Sequence, residues 1–324
     1  SLVPASPLGS PAVRKLSKLM VPTVLSASLY QFMIFINSLL ASLLGDGAVS
    51  HLYFADRIFQ FPLGVFSIAL ATAIHPRLAR LASEEKLDEL SEQVINAISW
   101  ISFITIPATA GFLFLGKPIS ELLFGYGKVT PADVQSITYA LAGFSVGLWA
   151  ISTQSILVRV FISRKNSRIP SYISVVSMAA NAFLALSLMG HASVVTNDKL
   201  AVWLTNLQSN LHLNILGTKG LGIAGLSLAG GVSSLVAVML FIYFLPKVQV
   251  RLGIRRIIGT TVKPLLSSVV MVIVLMMIGH FNLNAWIEVP LGIALGASTF
   301  FAVSLLLRTT EAYEIYRLVR RKVV

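Results

Sequence analysis

The sequence predicts an all-α polytopic membrane protein with eight transmembrane helices. Of its 324 residues, 56% are hydrophobic and only 12% are charged, whereas soluble domains carry about 25% charged residues. The mean hydropathy is +0.82, and the apolar residues form runs long enough to cross a bilayer, which takes about 20 residues. A membrane β-barrel would instead show short segments of alternating hydrophobicity. These observations exclude an ordinary water-soluble domain.

Eight long apolar runs are the predicted spans, and they divide the chain into four parts. We predict a basic cytoplasmic segment over residues 1–18, a six-helix lobe over 19–245, two further apolar helices over 246–307, and a basic cytoplasmic tail over 308–324. The predicted spans are Leu19–Leu44, Leu52–Ile74, Val94–Leu115, Ile137–Ile162, Pro170–Met189, Leu221–Leu245, Lys263–Phe281 and Ala285–Leu307.

The charge distribution predicts the orientation of these helices. The chain has 25 Lys and Arg against 13 Asp and Glu, a formal net charge of +12. Most of the basic residues lie in the N-terminal segment, in every second connection and in the tail. Cytoplasmic connections are enriched in Lys and Arg, so we expect both termini in the cytoplasm. The net charge is thus an orientation signal, and we predict no nucleic-acid partner.

Two charged residues, Asp56 and Arg57, lie inside the second predicted span. A charge near the centre of a membrane helix costs roughly 2.5–3.5 kcal/mol, so such residues usually face a wet cavity or a partner. Five residues at about 1.5 Å each place Arg57 roughly 8 Å from the outer end of the span. We therefore predict that this helix lines a polar, substrate-binding cavity. The alternative is that both residues pair with other helices and stabilise the bundle. On a helical wheel, the predicted polar stripe contains Arg57, Gln60, Gly64, Ser67 and Ala71, with Asp56 at its edge.

Polar residues in two other spans are further candidates. In the first predicted span, Ser28 and Gln31 lie on one face and Asn37 lies nearly opposite. Asn181 belongs to a polar group in the fifth span. Ser28 and Gln31 are predicted to join the substrate-binding set, although a lone serine in a helix often bonds only its own backbone.

Motifs typical of enzymes or of nucleotide binding do not fit the sequence. There is no cysteine, which excludes disulfides and thiolate metal sites. Gly220, Gly222 and Gly225 spell G-x-G-x-x-G, but the motif opens a membrane helix and follows no strand. The five histidines are scattered, and no acid/base or nucleophilic group is apparent. We predict that the chain is not an enzyme and holds no metal.

The most specific stretch is Tyr53–Leu78. It reads Y-F-A-D-R at its start, continues as F-P-L-G and A-L-A-T, and closes with P-R-L. It resembles the Y-A-D-R…F-P-x-G…A-L-x-T…P-x-L signature of the MurJ (MviN) lipid II flippases, members of the multidrug/oligosaccharidyl-lipid/polysaccharide exporter superfamily. Further similarity lies at Leu123–Thr130, Arg159–Pro170 and Gly222–Ala229. Asn166 and Ser167 depart from the family's Asp-Thr pair.

The resemblance implies a part of a MATE-like flippase with fourteen helices. The eight predicted spans correspond to the family's seventh to fourteenth, so the first six are expected elsewhere, in cis or in another chain. The family moves lipid II, the undecaprenyl-pyrophosphate-linked disaccharide-pentapeptide, across the bacterial cytoplasmic (inner) membrane by alternating access. Arg57 matches the family's central-cavity arginine, which Asp56 would orient. The last two helices resemble the pair that forms a groove for the polyprenyl tail, in contact with membrane lipids.

Alternatives are open for the driving force of transport and for the transported molecule. Asn37 and Asn181 are a hypothetical cation site, and coupling to Na⁺ or H⁺, or the membrane potential, is the expected source of energy. No other cofactor is expected. One rival function is export of another polyprenyl-linked glycan or of drugs. An exporter of cationic drugs would need an acidic cavity lining. A second rival is a non-transporting membrane scaffold of cell-wall synthesis.

Overall fold

A computed structural model describes residues 31–190, 199–210, 220–250, 252–281 and 283–323. All regular structure in these ranges is helical. The helices are α1 (Gln31–Ser42), α2 (Ala48–Pro62), a π-helical segment (Leu63–Ile68), α3 (Ala69–Ser83), α4 (Leu87–Phe124), α5 (Pro131–Val146), α6 (Leu148–Ser163), α7 (Arg168–Leu188), α8 (Lys199–Asn210), α9 (Ile223–Phe244), a 3₁₀ turn (Leu245–Val248), α10 (Ile254–Gly279), α11 (Ala285–Leu306) and α12 (Thr310–Val323).

The predicted all-helical membrane fold is confirmed. Within the described ranges, six helices are long and apolar enough to cross a membrane, or seven if α5 and α6, bent by 43°, form one span. The first predicted span begins at Leu19, outside the described residues, and only its later part is described, as the short helix α1. The count of eight spans and the side of the termini stay predictions.

Helix boundaries differ from the predicted ones where the chain leaves the bilayer. The second span extends over Ala48–Ser83, and α4 runs unbroken for 38 residues, about 57 Å at 1.5 Å per residue. A 30 Å hydrocarbon core covers only part of either helix. Two helices fall where no helix was predicted, α8 in the connection after α7 and α12 in the tail. The hydropathy pattern missed both because neither is a continuous apolar run.

The fourth predicted span is divided at Gly147, where α5 meets α6. A Cβ atom at Gly147 would lie 2.4 Å from the Cα atom of Gly231 in α9, and one at Gly143 would lie 2.8 Å from the backbone nitrogen of Leu228. Small residues let membrane helices approach this closely. The bend at Gly147 therefore accompanies a near-contact of two helix backbones.

Two central helices organise the packing. α9 packs against α5, α6 and α7, whereas α4 packs against α3, α5, α6, α10 and α11. Most of the buried apolar residues of the first ten helices form two clusters, one that contains Leu90 and Phe161 and one that contains Leu52 and Leu141. A third cluster joins Phe103 of α4, Met271 of α10, Phe300 of α11 and Ala312 of α12. The last two spans thus attach to the six-helix lobe mainly through α4.

Arg164, at the end of α6, connects three loops at one face of the lobe. Its guanidinium donates to the carbonyl oxygens of Ala82 at 3.1 Å and Val248 at 3.2 Å, and to the Glu85 carboxylate at 3.1 Å. Hydrogen bonds to charged groups are stronger than neutral ones. Arg164 therefore holds the ends of α3, α6 and α9 together.

Candidate functional site

Arg57 projects from the outward face of α2 and is exposed. The opposite face packs on the lobe: Ala55 and Phe59 are buried, and the Phe59 ring stacks on Phe144 of α5 with centroids 5.4 Å apart. Packing on that side leaves the guanidinium directed away from the protein core. Within the described residues, no carboxylate lies at salt-bridge distance from it. Its Cζ atom lies 4.4 Å from the ring centroid of Tyr53.

Asp56 and Gln60 form a second polar unit beside Arg57. Gln60 donates from its side-chain nitrogen to the Asp56 carboxylate, one helical turn away. Asp56 is half-buried and Gln60 is exposed. The carboxylate is therefore bound to Gln60, and the neighbouring guanidinium forms no hydrogen bond or ion pair with another described residue.

The predicted polar stripe on this span is wrong beyond Gly64, and Ser67 does not share the exposed face. Ser67 is 1% exposed and Ala71 is fully buried, and the Ser67 hydroxyl donates to Ser152 of α6 at 2.6 Å. The cause is the π-helical segment after Pro62. A π turn holds an extra residue, which rotates the following helix face by about 100° relative to an α-helical wheel. Ile68 and Thr72 take the exposed positions instead.

The remaining predicted residues occupy different environments. Gln31, the first described residue of α1, is exposed, and Ser28 lies outside the described residues. Asn181 of α7 is 1% exposed, and neither polar atom of its amide has a hydrogen-bond partner among the described residues. The Oδ1 atom of Asn37 in α1 is also buried and has no partner in the same part of the chain. Asn37 and Asn181, the pair of the hypothetical cation site, therefore hold buried polar atoms whose hydrogen-bonding capacity is not satisfied by the described residues.

Asn37 and Asn181 lie near one shared core cluster. Leu40 and Ala41, one turn beyond Asn37, and Ala185, one turn beyond Asn181, belong to the same cluster of buried residues. Each asparagine thus lies one turn from a residue of the same core cluster. Within the described residues, no group of three or more His, Asp or Glu side chains could hold a metal ion.

Two side-chain contacts made by the span Ala48–Ser83 were not predicted. Tyr53 beneath Arg57 could have been found from their i, i+4 spacing, which places two side chains on one helix face. The second involves Arg159 of α6, whose guanidinium donates to Ser155 O at 2.8 Å and to the Thr72 hydroxyl at 3.3 Å. Only the packing of α3 on α6 brings Arg159 and Thr72 together.

The end of this span holds a cavity of about 470 Å³. It is lined by Pro76, Arg77, Arg80, Leu81 and Glu89. Arg80 is paired with Glu84 at 3.2 Å, and proline at position 76 cannot donate a backbone hydrogen bond to the preceding turn. This cavity is separated from Arg57 by more than five helical turns of chain.

A different exposed surface is formed by α10 and α11. Their outward side chains are large and apolar, without a charged residue in the middle of either helix. On α10 the exposed residues are Leu265, Leu266, Val269, Ile273, Met276 and Met277. Such a face suits hydrocarbon, either lipid acyl chains or a polyprenyl chain.

Comparison with known proteins identifies the family. The family model described as lipid II flippase MurJ matches residues 4–196. Among curated proteins, the chain is 34% identical over 174 residues to the probable lipid II flippase MurJ of Vibrio cholerae, covering 54% of this chain and 33% of that protein. It is 33% identical over 201 residues to the corresponding protein of Rhizobium meliloti, covering 61% and 37%. The chain thus spans about a third of the length of these relatives.

Solved structures match over a larger part of the chain. A structure of lipid II flippase MurJ in an inward closed conformation has a TM-score of 0.68 at 19% identity, over 91% of this chain and 54% of that one. An outward-facing MATE multidrug transporter of the MOP superfamily has a TM-score of 0.56 at 14% identity, over 94% and 67%. These likenesses establish the fold. With the family match over more than half of its residues, the chain belongs to the lipid II flippase MurJ family.

Proposed function

We propose that this chain provides the substrate-contacting half of a lipid II flippase in the bacterial cytoplasmic (inner) membrane. The observation that carries the proposal is the exposed guanidinium of Arg57 inside an apolar span, with no carboxylate partner among the described residues. The membership of the chain in the lipid II flippase MurJ family supports the choice of substrate. The function is transport without covalent chemistry.

The pyrophosphate of lipid II is the group that Arg57 would bind. A guanidinium presents a planar fork of donors that matches two phosphate oxygens, and such charge-assisted bonds are stronger than neutral ones. Tyr53 supports the guanidinium from below at 4.4 Å, and an aromatic face attracts a cation without neutralising it. Because Asp56 is bound to Gln60, it would orient the site without cancelling the charge of Arg57.

The apolar pair α10 and α11 would hold the lipid tail while Arg57 holds the headgroup. A polyprenyl chain needs a surface that is apolar along its whole length, which the outward face of α10 supplies. The wall opposite Arg57 would come from six further helices, in the same polypeptide or in another chain. Rocking of the two halves around a site near the membrane midplane would expose it to each side in turn.

A cation at Asn37 and Asn181 would couple this motion to an ion gradient. Amide oxygens are hard ligands suited to cations such as Na⁺, and a buried amide without partners is costly unless something binds it. In the purified protein, Na⁺ would raise the unfolding temperature relative to K⁺ or choline, and Asn181→Leu would remove that difference. An equal Na⁺ effect in both proteins would exclude Asn181. A Na⁺-independent unfolding temperature would leave H⁺ or the membrane potential as the driving force.

The main test replaces Arg57 by Ala in a cell whose lipid II transport depends on this chain. The appearance of lipid II in the outer leaflet should fall about tenfold or more, since hydrogen bonds to charged groups contribute roughly 1.5–3 kcal/mol. Arg57→Lys should retain part of the activity because it keeps the charge and loses the fork. Arg256→Ala, an exposed arginine paired with Glu92 on another helix, is the matched control.

The outcomes separate the proposal from its rivals. Normal lipid II transport by Arg57→Ala, at a normal protein level, would contradict the proposed role of Arg57. Loss of wall synthesis with normal lipid II transport would favour the membrane scaffold. Retained lipid II transport with loss of another polyprenyl-linked glycan would favour the related exporter.

A further inference from the structure

The last helix, α12, leaves the membrane-spanning body through a sharp reversal after α11. Arg308 has a left-handed backbone with φ of 52°, and its N–H donates to Leu305 O at 3.0 Å. The next N–H, of Thr309, donates to Ser304 O at 3.0 Å. These two bonds form a Schellman motif, which ends a helix and redirects the chain. α12 therefore starts on a new axis and does not prolong α11.

The start of α12 is held at the edge of the apolar belt. Glu311 is 7% exposed and its carboxylate accepts a hydrogen bond from Ser99 of α4, and Ala312 belongs to the core cluster shared with α10 and α11. Beside them, Lys263 Nζ donates to Arg308 O at 3.1 Å. Exposed apolar residues of α10 lie on both sides of Lys263, with Val262 before it and Leu265 after it. The first turn of α12 thus lies beside the exposed apolar face of α10.

Beyond this anchor, α12 is amphipathic and its apolar edge is uncovered. Ile315 packs on the core cluster, but Leu318, on the same side of the helix, is 62% exposed and Tyr316 is 46% exposed. Arg317 and Arg320 lie toward the other side, one turn apart, and both are exposed. Neither forms an ion pair within the described part of the chain. Apolar and basic edges along one short helix are typical of interfacial membrane helices.

We propose that α12 lies in the headgroup layer of the leaflet at which α11 ends, where Arg317 and Arg320 bind the phosphates of anionic phospholipids. Leu318 would then enter the acyl boundary, next to the apolar face of α10, while Tyr316, one turn before Arg320 on the same helix face, would lie at the level of the headgroups. Charge complementarity favours this partner: Glu311 is buried, so Glu314 is the one exposed carboxylate in the described part of α12. Juxtamembrane basic residues are attracted to anionic lipid surfaces. This inference does not depend on the proposed transport function.

The absence of cysteine from the sequence gives a direct test. Leu318→Cys, introduced into the full chain and labelled with an environment-sensitive fluorophore, reports whether this edge is in lipid or in water. The protein is reconstituted into vesicles of phosphatidylcholine alone or mixed with phosphatidylglycerol, and the neutral quencher acrylamide measures access. A second label at Thr310→Cys, an exposed position two turns before Arg317 on the same helix face, serves as the reference that stays accessible.

We expect the label at residue 318 to be shielded in the anionic vesicles and to become accessible when salt is raised, because salt screens surface charges. Arg317→Gln with Arg320→Gln should shift the ratio of shielded to accessible label about 25-fold, or fivefold for each charge. Arg256→Gln, which removes an exposed arginine outside α12, should leave the ratio unchanged.

Three results would overturn the proposal. One is a label that is equally accessible in both kinds of vesicle. Another is shielding that is independent of lipid charge and of the two arginines. The third is shielding that increases with protein density in the vesicles, which would identify a second protein molecule as the occupant. Both arginines are exposed and form no ion pair with the described residues, so the double variant is expected to fold, and an unchanged unfolding temperature verifies it.

Discussion

Two spans of this molecule bury similar shares of their residues but differ in the side chains that they expose. In Ala48–Ser83, 28% of the most apolar stretch is buried, and in Arg256–Gly279 the share is 33%, so burial alone does not distinguish them. The first exposes Arg57, Gln60 and Gly64 beside apolar side chains such as Phe61 and Val65, whereas residues 265–277 of the second expose only leucine, valine, isoleucine and methionine. The identity of the exposed side chains therefore separates a surface suited to a polar headgroup from one suited to hydrocarbon.

The largest expected contrast comes from adding one arginine to each face. Val269, near the middle of α10, is 54% exposed, and Val269→Arg should cost roughly 2.5–3.5 kcal/mol of insertion free energy because that face meets hydrocarbon. Gly64→Arg enters open space beside the polar stripe and should cost much less. The amount of correctly inserted protein, measured by protease protection, checks both variants. Equal losses would break the comparison by placing both faces in the same environment.

Replacing two glycines by leucine, one on α11 and one on the span Ala48–Ser83, is expected to change stability and transport by intermediate amounts. A Cβ atom at Gly292 would lie 2.9 Å from the Leu115 side chain, while one at Gly64 meets nothing within 4 Å. Gly292→Leu should lower the free energy of unfolding by about 1–3 kcal/mol through overpacking. Gly64→Leu should leave it unchanged and instead reduce transport by obstructing the face of Arg57. Unfolding in detergent and a lipid II transport assay measure the two effects, and a destabilised Gly64→Leu would show that this face is packed.

The smallest effects are expected at two buried serine pairs, one in each region. Ser67 donates to Ser152 at 2.6 Å, and Ser304 donates to Ser267 at 3.0 Å. Hydrogen bonds between membrane helices contribute about 0.6 kcal/mol on average. Double-mutant cycles with Ser→Ala at both members of a pair should each give a coupling free energy of this size. A coupling free energy of zero between Ser67 and Ser152 would contradict their hydrogen bond. It would favour the exposed position of Ser67 that the α-helical wheel predicted.

The candidate site was partly predictable, and the errors have a local cause. Asp56 and Arg57 were found because charge inside an apolar run is conspicuous, and Gln60 followed from regular α-helical spacing. Ser67 was misplaced because the wheel assumes 3.6 residues per turn, which the π-helical segment after Pro62 does not obey. α12 was missed because its amphipathic pattern lacks a long apolar run. For Ser67, the local pattern held until the backbone departed from regular α-helical geometry.

Composition and the order of apolar runs were enough to establish a polytopic helical membrane protein, because lipid forces the backbone to satisfy its hydrogen bonds within each span. The resemblance around Asp56 and Arg57 was enough to indicate the family.

Contacts between distant residues were decided by the tertiary structure alone. Tyr53 and Arg57 lie one turn apart and could be paired from the sequence. Three other pairs could not be paired in this way: Ser67 with Ser152, Arg159 with Thr72, and Ser99 with Glu311. Those pairs depend on how helices cross, and the crossings depend on where small residues such as Gly147 and Gly231 let two backbones meet.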